Sequence, residues 1–245
     1  MVLYVIARAG LAYLYSSRED IRHFFSDLVD RLMLVGKQIK DLMISKGLYI
    51  HPPIIPVPDK IDFVKKQNYL AGFFGDIRPL SVIEAYQLFF NAKQNAIGKA
   101  LLMGFSQTAR TKEIKQYFIQ GRDLSNKYLG DINRILLNEN IDIAPSYDGE
   151  VTASTEGPFS ERLMLLHTSV LISAGLQNIG MALSLSPRHD LAAMYTKMIT
   201  EIESLANAGA KLLIENGWME EPPLAPDRDA LGKTNQNNLA KDKLH

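Results

Sequence analysis

Three times along the chain an acidic residue followed by Ile or Leu is answered 27 residues later by Gly or Asn, and 5 residues after that by Pro. The acids are Asp20, Glu113 and Asp190, the stops Gly47, Asn140 and Gly217, and the prolines Pro52, Pro145 and Pro222. An acid suits the first turn of a helix, where it meets the positive end of the backbone dipole. Gly and Asn tolerate the left-handed conformation that closes a helix, and proline cannot continue one. Ten residues before the first and third acids stand Gly10 and Gly180, with Met103 in the middle copy. Start, stop and proline coinciding three times predict three helix–break–helix units, each second helix about 42 Å long at 1.5 Å per residue.

Hydrophobic spacing agrees. In the middle unit Ile114, Phe118, Leu124, Leu129, Ile132 and Leu136 recur mostly at three- or four-residue steps, which predicts one buried stripe. Its partner helix opens at Ser81-Val82-Ile83-Glu84, a capping box, and carries Ile83, Tyr86, Phe90, Ile97, Leu101 and Phe105 on the expected inner face. The third unit starts after Gly157-Pro158 and breaks at Ser186-Pro187, which reads as a cap followed by proline in the first helical position. Small residues Gly98, Ala100, Gly104, Ala174, Gly175 and Gly180 suggest close helix approach. Strand-like alternation is nearly absent, so the fold class is all-α.

The spacing between units is unequal, 93 residues from Asp20 to Glu113 and 77 from Glu113 to Asp190. Two helix pairs joined by the shorter, polar crossover make a four-helix bundle. The expected organisation is a helical hairpin at 1–47, a Pro-rich interdomain connector at 48–76, a complete bundle at 77–219 and a polar, partly disordered tail at 220–245. Met1 to Tyr15 resembles an apolar leader, but Arg8 interrupts it and it falls short of the roughly 20 residues of a membrane span. No membrane span is expected elsewhere.

The order of SKGLYIHPPIIPVPDKIDFVKKQ, GKALLMGFSQ and NGWMEEPPLAPDRDAL resembles the tandem ferritin-like proteins of unassigned function from spore-forming bacilli, some of them described as spore coat proteins of the coat protein F type. The likeness covers essentially the whole chain. It implies two four-helix bundles in tandem, of which residues 1–47 match only the last two helices of the first. An unpaired two-helix face leaves apolar surface that burial would stabilise, so the resemblance implies self-association, a dimer through the 1–47 hairpin, or pairing with other coat-type proteins. A cytoplasmic, spore-associated location is expected.

Ferritin-like bundles suggest a di-metal carboxylate site, which needs Glu-x-x-His on two helices. No glutamate here has histidine three residues on: Glu113 is followed by Gln116, Glu161 by Met164 and Glu201 by Ser204. Where family members often carry Lys-His, this chain reads Lys127-Tyr128. Asp20-x-x-His23 has ligand spacing, yet Asp20 follows Ser17 by three residues and reads as a capping box. His167 sits mid-helix and reads as a core or boundary residue, while His51 and His189 read as surface residues. Gly232-Lys233-Thr234 imitates a phosphate loop, but Asp227 stands where that motif needs glycine.

Composition narrows the function classes. Lys+Arg and Asp+Glu tie at 27 each, so no basic excess drives nucleic-acid binding. The absence of cysteine removes disulfides, thiolate metal sites and cysteine nucleophiles. No nucleophile elbow or dinucleotide fingerprint is present, and no cofactor and no enzymatic activity are expected. The leading expectation is a non-enzymatic structural or interaction protein. The alternative is a metal-binding or redox bundle with the non-standard ligands Glu84, Glu161, His167 and Glu201. A third is a binder of apolar ligands with a closed apolar cavity. Asn91, Gln94 and Asn95 with Gln177 and Asn178 are the candidates for a polar core, set against the plainer reading of amides on a solvated face.

Overall fold

The three stops are the three places where the backbone of a described residue turns left-handed, with φ at 67° in Gly47, 56° in Asn140 and 67° in Gly217. The computed structural model describes residues 2–56, 58–74 and 77–232, without the side chains of Val2 and Leu3. At each stop the following N–H donates to the carbonyl five residues back: Leu48 to Met43 at 2.8 Å, Ile141 to Leu136 at 2.9 Å and Trp218 to Leu213 at 2.8 Å. These bonds take up helix-end carbonyls that would otherwise lack donors. The helices so ended are α2 (Glu19–Ser45), α4 (Lys112–Asn138) and α6 (His189–Glu215), each 27 residues long. Each is preceded by a partner, α1 (Val2–Tyr15), α3 (Val82–Thr108) and α5 (Glu161–Leu185). Short 3₁₀ turns lie at Gln67–Leu70 and Asp148–Glu150, and no strand occurs among the described residues.

Helix starts are more varied than the stops. α3 opens on the predicted capping box: Ser81 Oγ accepts from the Glu84 N–H at 3.2 Å and the Glu84 carboxylate accepts from the Ser81 N–H at 2.9 Å. Ser17 and Ser186 do not cap. Arg18 and Arg188 hold the cap positions of α2 and α6, and their guanidiniums reach forward to Asp20 and Asp190, with closest approaches of 2.6 and 2.8 Å. Ser186 ends α5 instead, which leaves Pro187 in the turn. The acids do sit in first turns, favoured by the helix dipole, and for Asp20 and Asp190 an arginine two residues back pairs with them as well.

Helices α3 to α6 pack as a bundle, and side-chain contacts at its two ends fix their directions. Glu161 at the start of α5 accepts from the Arg110 and Thr111 N–H groups, at 2.8 and 2.7 Å, in the α3–α4 turn. At the other end Arg188, before α6, contacts Glu84 at the start of α3 and Glu139 after α4. α5 therefore runs antiparallel to α3, and α6 to α4. The order is up-down-down-up with one long crossover between α4 and α5. That crossover is held by the Lys99–Asp148 pair and by Asn133, whose carboxamide both donates to and accepts from Ala144.

The α4 stripe is buried as predicted at Ile114, Phe118, Leu129, Ile132 and Leu136, with Leu124 packed against it. On α3 the inner face differs. Ile83, Tyr86 and Ile97 are exposed, and the interior is filled by Ala85, Leu88, Phe89, Ala92 and Ala96. Phe105 is buried as expected, with Leu101 packed against the core and Phe90 on the cavity wall, so size-based counting mixes the inner and outer faces of α3. The expected close approach also falls elsewhere: a Cβ on Gly175 or Gly180 would meet nothing within 4 Å, whereas one on Gly121 would press Leu102 and one on Gly209 would strike the Tyr117 hydroxyl.

The connector lies along the bundle. Ile50 and Ile55 pack against its core, and the Tyr49 ring sits between the Lys40 and Lys93 ammoniums at 5.2 and 5.7 Å. Gly72 runs so close to the start of α6 that any side chain there would collide with Asp190. Lys233 to His245, including Lys233 and Thr234 of the phosphate-loop imitation, lie outside the described residues. α5 is long and apolar enough to cross a membrane by length and composition. It packs in the bundle, burying Met164, Leu165, Thr168, Ile179 and Ala182.

Asn140 holds a left-handed backbone at a helix stop where its two counterparts are glycine. Asn140→Gly is expected to leave the melting temperature equal or higher, and Asn140→Ala to cost about 1 kcal/mol, since a Cβ is disfavoured in that conformation. Differential scanning calorimetry of the two variants checks this.

Candidate functional site

The five amides singled out from the sequence line one cavity of about 240 Å³ inside the bundle. α3 contributes Asn91, Gln94 and Asn95, one to four residues apart and so on adjoining faces of a helix. α5, antiparallel to it, contributes Gln177 and Asn178, while α4 and α6 add Leu124, Tyr128, Ile202 and Leu205. Asn91 is 2% exposed. Its Nδ2 donates to the Gln87 carbonyl at 2.8 Å, and Asn95 Nδ2 donates to the Asn91 carbonyl at 2.8 Å, each bond turned back onto the same helix. The Asn91 carboxamide oxygen takes no hydrogen bond from a described residue. α1 lies across the cavity with Tyr4 and Ala7. With the Gln177 carboxamide turned to face it, Arg8 donates to Gln177 Oε1 from Nε at 3.1 Å and Nη2 at 2.7 Å.

The alternative metal ligands do not converge. Glu84 stands at the start of α3 and Glu161 caps the turn beyond its end, so the length of a 27-residue helix separates them. His167 is half-buried with its ring edge-on to Phe105, 6.2 Å between centroids. Glu201 accepts from Lys127 Nζ at 2.6 and 2.7 Å and from Tyr128 Oη at 2.8 Å. The Lys127 bond holds the Glu201 carboxyl below its ordinary pKa, while burial and the Glu201 carboxylate push the Tyr128 hydroxyl up. Among the described residues no group of three or more His, Asp or Glu side chains is placed to hold a metal ion. His23, His51 and His189 are exposed.

The strongest electrostatic cluster is at the end of the bundle where α3 begins. Glu84 is fully buried and receives Arg78 through both guanidinium nitrogens, at 2.7 and 2.9 Å, the Ser81 N–H at 2.9 Å and the Arg188 N–H at 3.3 Å. Arg188, 4% exposed, also holds Glu139, Asp190 and the Arg78 carbonyl. Burial alone would raise the Glu84 pKa, but Arg78 and the Ser81 N–H outweigh it and hold the carboxyl below its ordinary value. Sequence reasoning missed Arg78 and Arg188. The available signal was the pair Arg18-x-Asp20 and Arg188-x-Asp190, which repeats at the start of two of the three long helices.

The family model described as "Protein of unknown function (DUF3231)" matches residues 1–61 and 69–231. The chain belongs to this family. Among solved structures, this chain is similar to the crystal structure of a "putative spore coat protein" from Bacillus halodurans C-125, with a TM-score of 0.55 and 16% identity. The match covers 61% of this chain and 98% of that one. At that identity the likeness speaks for the fold alone. No curated protein matches the chain.

Removing the charge from Glu84 leaves the Arg78 guanidinium without its counter-charge, while the Arg188 guanidinium keeps Asp190 and Glu139. Glu84→Gln is expected to cost about 3–5 kcal/mol at neutral pH, the usual cost of breaking a buried pair. Because the folded-state pKa lies below the ordinary value of 4.5, this contribution is complete above that value and is lost as pH falls through the folded pKa. Urea unfolding at pH 7 and pH 3 should therefore show a large stability gap between wild type and variant that narrows in acid.

Proposed function

We propose that this DUF3231 chain is a non-enzymatic assembly protein of the spore coat type, which joins copies of itself through the outer face of α2. The observation that carries the reading is that α2, 27 residues long, buries none of them. Phe24, Val35 and Leu42, at steps of 11 and 7, form one row along the helix with Ile39 beside it, and they are 61%, 42%, 56% and 46% exposed. Fully burying side chains of this size contributes about 1.5–3 kcal/mol each, so a row left open favours association.

Charge argues for a second copy as the occupant. The first part of α2 carries Glu19, Asp20, Asp27 and Asp30 against Arg22, and the rest carries Arg31, Lys37 and Lys40 against Asp41, with Lys46 just beyond. A two-fold axis across the helix lays it antiparallel on its own copy. The acidic half of each helix then meets the basic half of the other. Two hairpins so joined make a four-helix unit beside each bundle. The family match, the spore-coat description of the structural neighbour and the ferritin-like order of α3 to α6, with its single long crossover, support a coat role. The absence of enzymatic activity is supported by how the candidate groups are used, since Glu84, Glu161 and Glu201 are each engaged by several donors.

Light scattering across a concentration series tests this. The wild-type chain is expected at twice its 27.4 kDa, and Val35→Asp with Leu42→Asp at one times that mass, both with unchanged helix content. In a spore-forming host the wild type should fractionate with the coat and the double variant should not. A monomeric wild type at tens of micromolar, or a double variant that still dimerises, overturns the proposal.

A further inference from the structure

The bundle interior is not filled where the amides meet. Protein cores are packed to crystal-like density with few voids larger than water, yet here Gly175 opens onto the cavity with nothing within 4 Å of the place a Cβ would take. A side chain at that position would begin in open space on the cavity wall. The space is instead bounded by small residues on facing helices and by an amide group set among apolar side chains.

The chemistry of the wall selects an occupant. The described residues lining it include no Asp, Glu, Lys, Arg or His. Its Tyr128 hydroxyl is already committed to Glu201, and Arg8, outside the lining, is committed to Gln177. A charged molecule would enter without a counter-charge, which is strongly unfavourable away from water. The wall is not purely apolar either. Asn91 is buried with one of its two amide N–H groups bonded to the Gln87 carbonyl and its carboxamide oxygen taking no bond from a described residue, so it can receive a hydrogen-bond donor. Leu124, Ile202 and Leu205 on the opposite helices offer an apolar bed. In size, a cavity of about 150 Å³ takes benzene, so this one suits a molecule of roughly ten non-hydrogen atoms on the same scale.

We propose that this cavity is a binding site for a small uncharged molecule with an apolar body and one hydroxyl or N–H donor, the donor bonded to Asn91 and the body lying against α4 and α6. The site is distinct from the assembly face of α2. α1 lies over part of it: Tyr4 and Ala7 bound the space, and with the Gln177 carboxamide turned Arg8 bonds to Gln177, while the exposed Gln177 and Met181 line its open side.

The test uses the full chain and three probes that share one skeleton: phenethyl alcohol, the anion phenylacetate, and ethylbenzene, which lacks the donor. Saturation-transfer NMR with calorimetric titration is expected to give saturable binding of phenethyl alcohol, at least tenfold tighter than phenylacetate and severalfold tighter than ethylbenzene. Gly175→Leu should abolish binding of all three while keeping the melting temperature at or above that of wild type. Asn91→Leu should erase the preference for the alcohol over ethylbenzene and retain ethylbenzene binding, which keeps the proposal testable should the glycine variant fail to fold. Absence of saturable binding by the alcohol, phenylacetate binding as tight as the alcohol, or a folded Gly175→Leu that still binds would each overturn it.

Discussion

Glu84 is a buried carboxylate that no water reaches, and the arrangement of the bundle follows from how it is neutralised. Arg78 comes from the connector, Ser81 from the start of α3, and the Arg188 N–H from the α5–α6 turn. Arg188 then draws in Glu139 after α4 and Asp190 in α6. Apolar packing alone would tolerate a sliding of α5–α6 along α3–α4 by a turn, because Leu, Ile and Ala are exchangeable surfaces to one another. The contacts of Arg188 are not: a shift of one turn, about 5.4 Å, would break its N–H bond to Glu84 and its pair with Glu139, at a cost of several kcal/mol. The register of the two helix pairs is thereby fixed at one end, and the facing of the α3 and α5 amides farther along inherits it. The Glu161 cap on the α3–α4 turn fixes the other end by the same means, a carboxylate taking backbone N–H groups that have no helical partner.

The molecule divides into a part whose interactions are closed and a part whose interactions are open. In the bundle, charged groups at both ends are matched and the α4 stripe is covered. In the hairpin, Ala9 is the one buried residue among the described residues of α1 and α2, and α2 presents apolar side chains to solvent along much of its length. The helices have the same design in both parts, the same 27-residue length and the same left-handed stop. The difference is that α4 and α6 each have a second helix pair to lie against and α2 has not. Helix stability in water comes mainly from packing of the amphipathic face, so equal helices with unequal cover place the demand for a partner on α2.

Much of this was legible in the sequence where chemistry is local. A left-handed stop is chosen by the residue that occupies it, so Gly47, Asn140 and Gly217 could be read directly, and the Ser81–Glu84 capping box likewise. The amide group was legible as a set because Asn91, Gln94 and Asn95 are close in sequence on one helix, although nothing local says that Gln177 and Asn178 would face them. What could not be read depends on partners far apart in the chain. Arg188 reaches Glu139 and Glu84 across 49 and 104 residues, and no spacing rule connects them. The α3 face was misplaced for a related reason: Ile83 and Tyr86 look like core residues until it is known that Ala85, Leu88 and Ala92 are the side on which α4 and α5 sit. Serines before α2 and α6 misled because an arginine with its own acid took the cap position.

α1 is where the two proposals meet. It bears on α2 with one side and on the cavity with the other, through Tyr4, Ala7 and the Arg8–Gln177 bonds. A molecule seated in the cavity as proposed touches Tyr4 and Ala7 of α1, and assembly through α2 draws on the same hairpin. Linkage then requires the effects to be mutual: if the docked hairpin is the form that assembles, the ligand strengthens assembly by the factor by which assembly strengthens the ligand. If assembly needs the hairpin free of the bundle, the two compete by the same factor. The sign is set by whether Arg8 keeps its bonds to Gln177 in the assembled state. Cutting that tie with Arg8→Ala therefore separates the two cases, raising the assembly constant in the second and lowering it in the first.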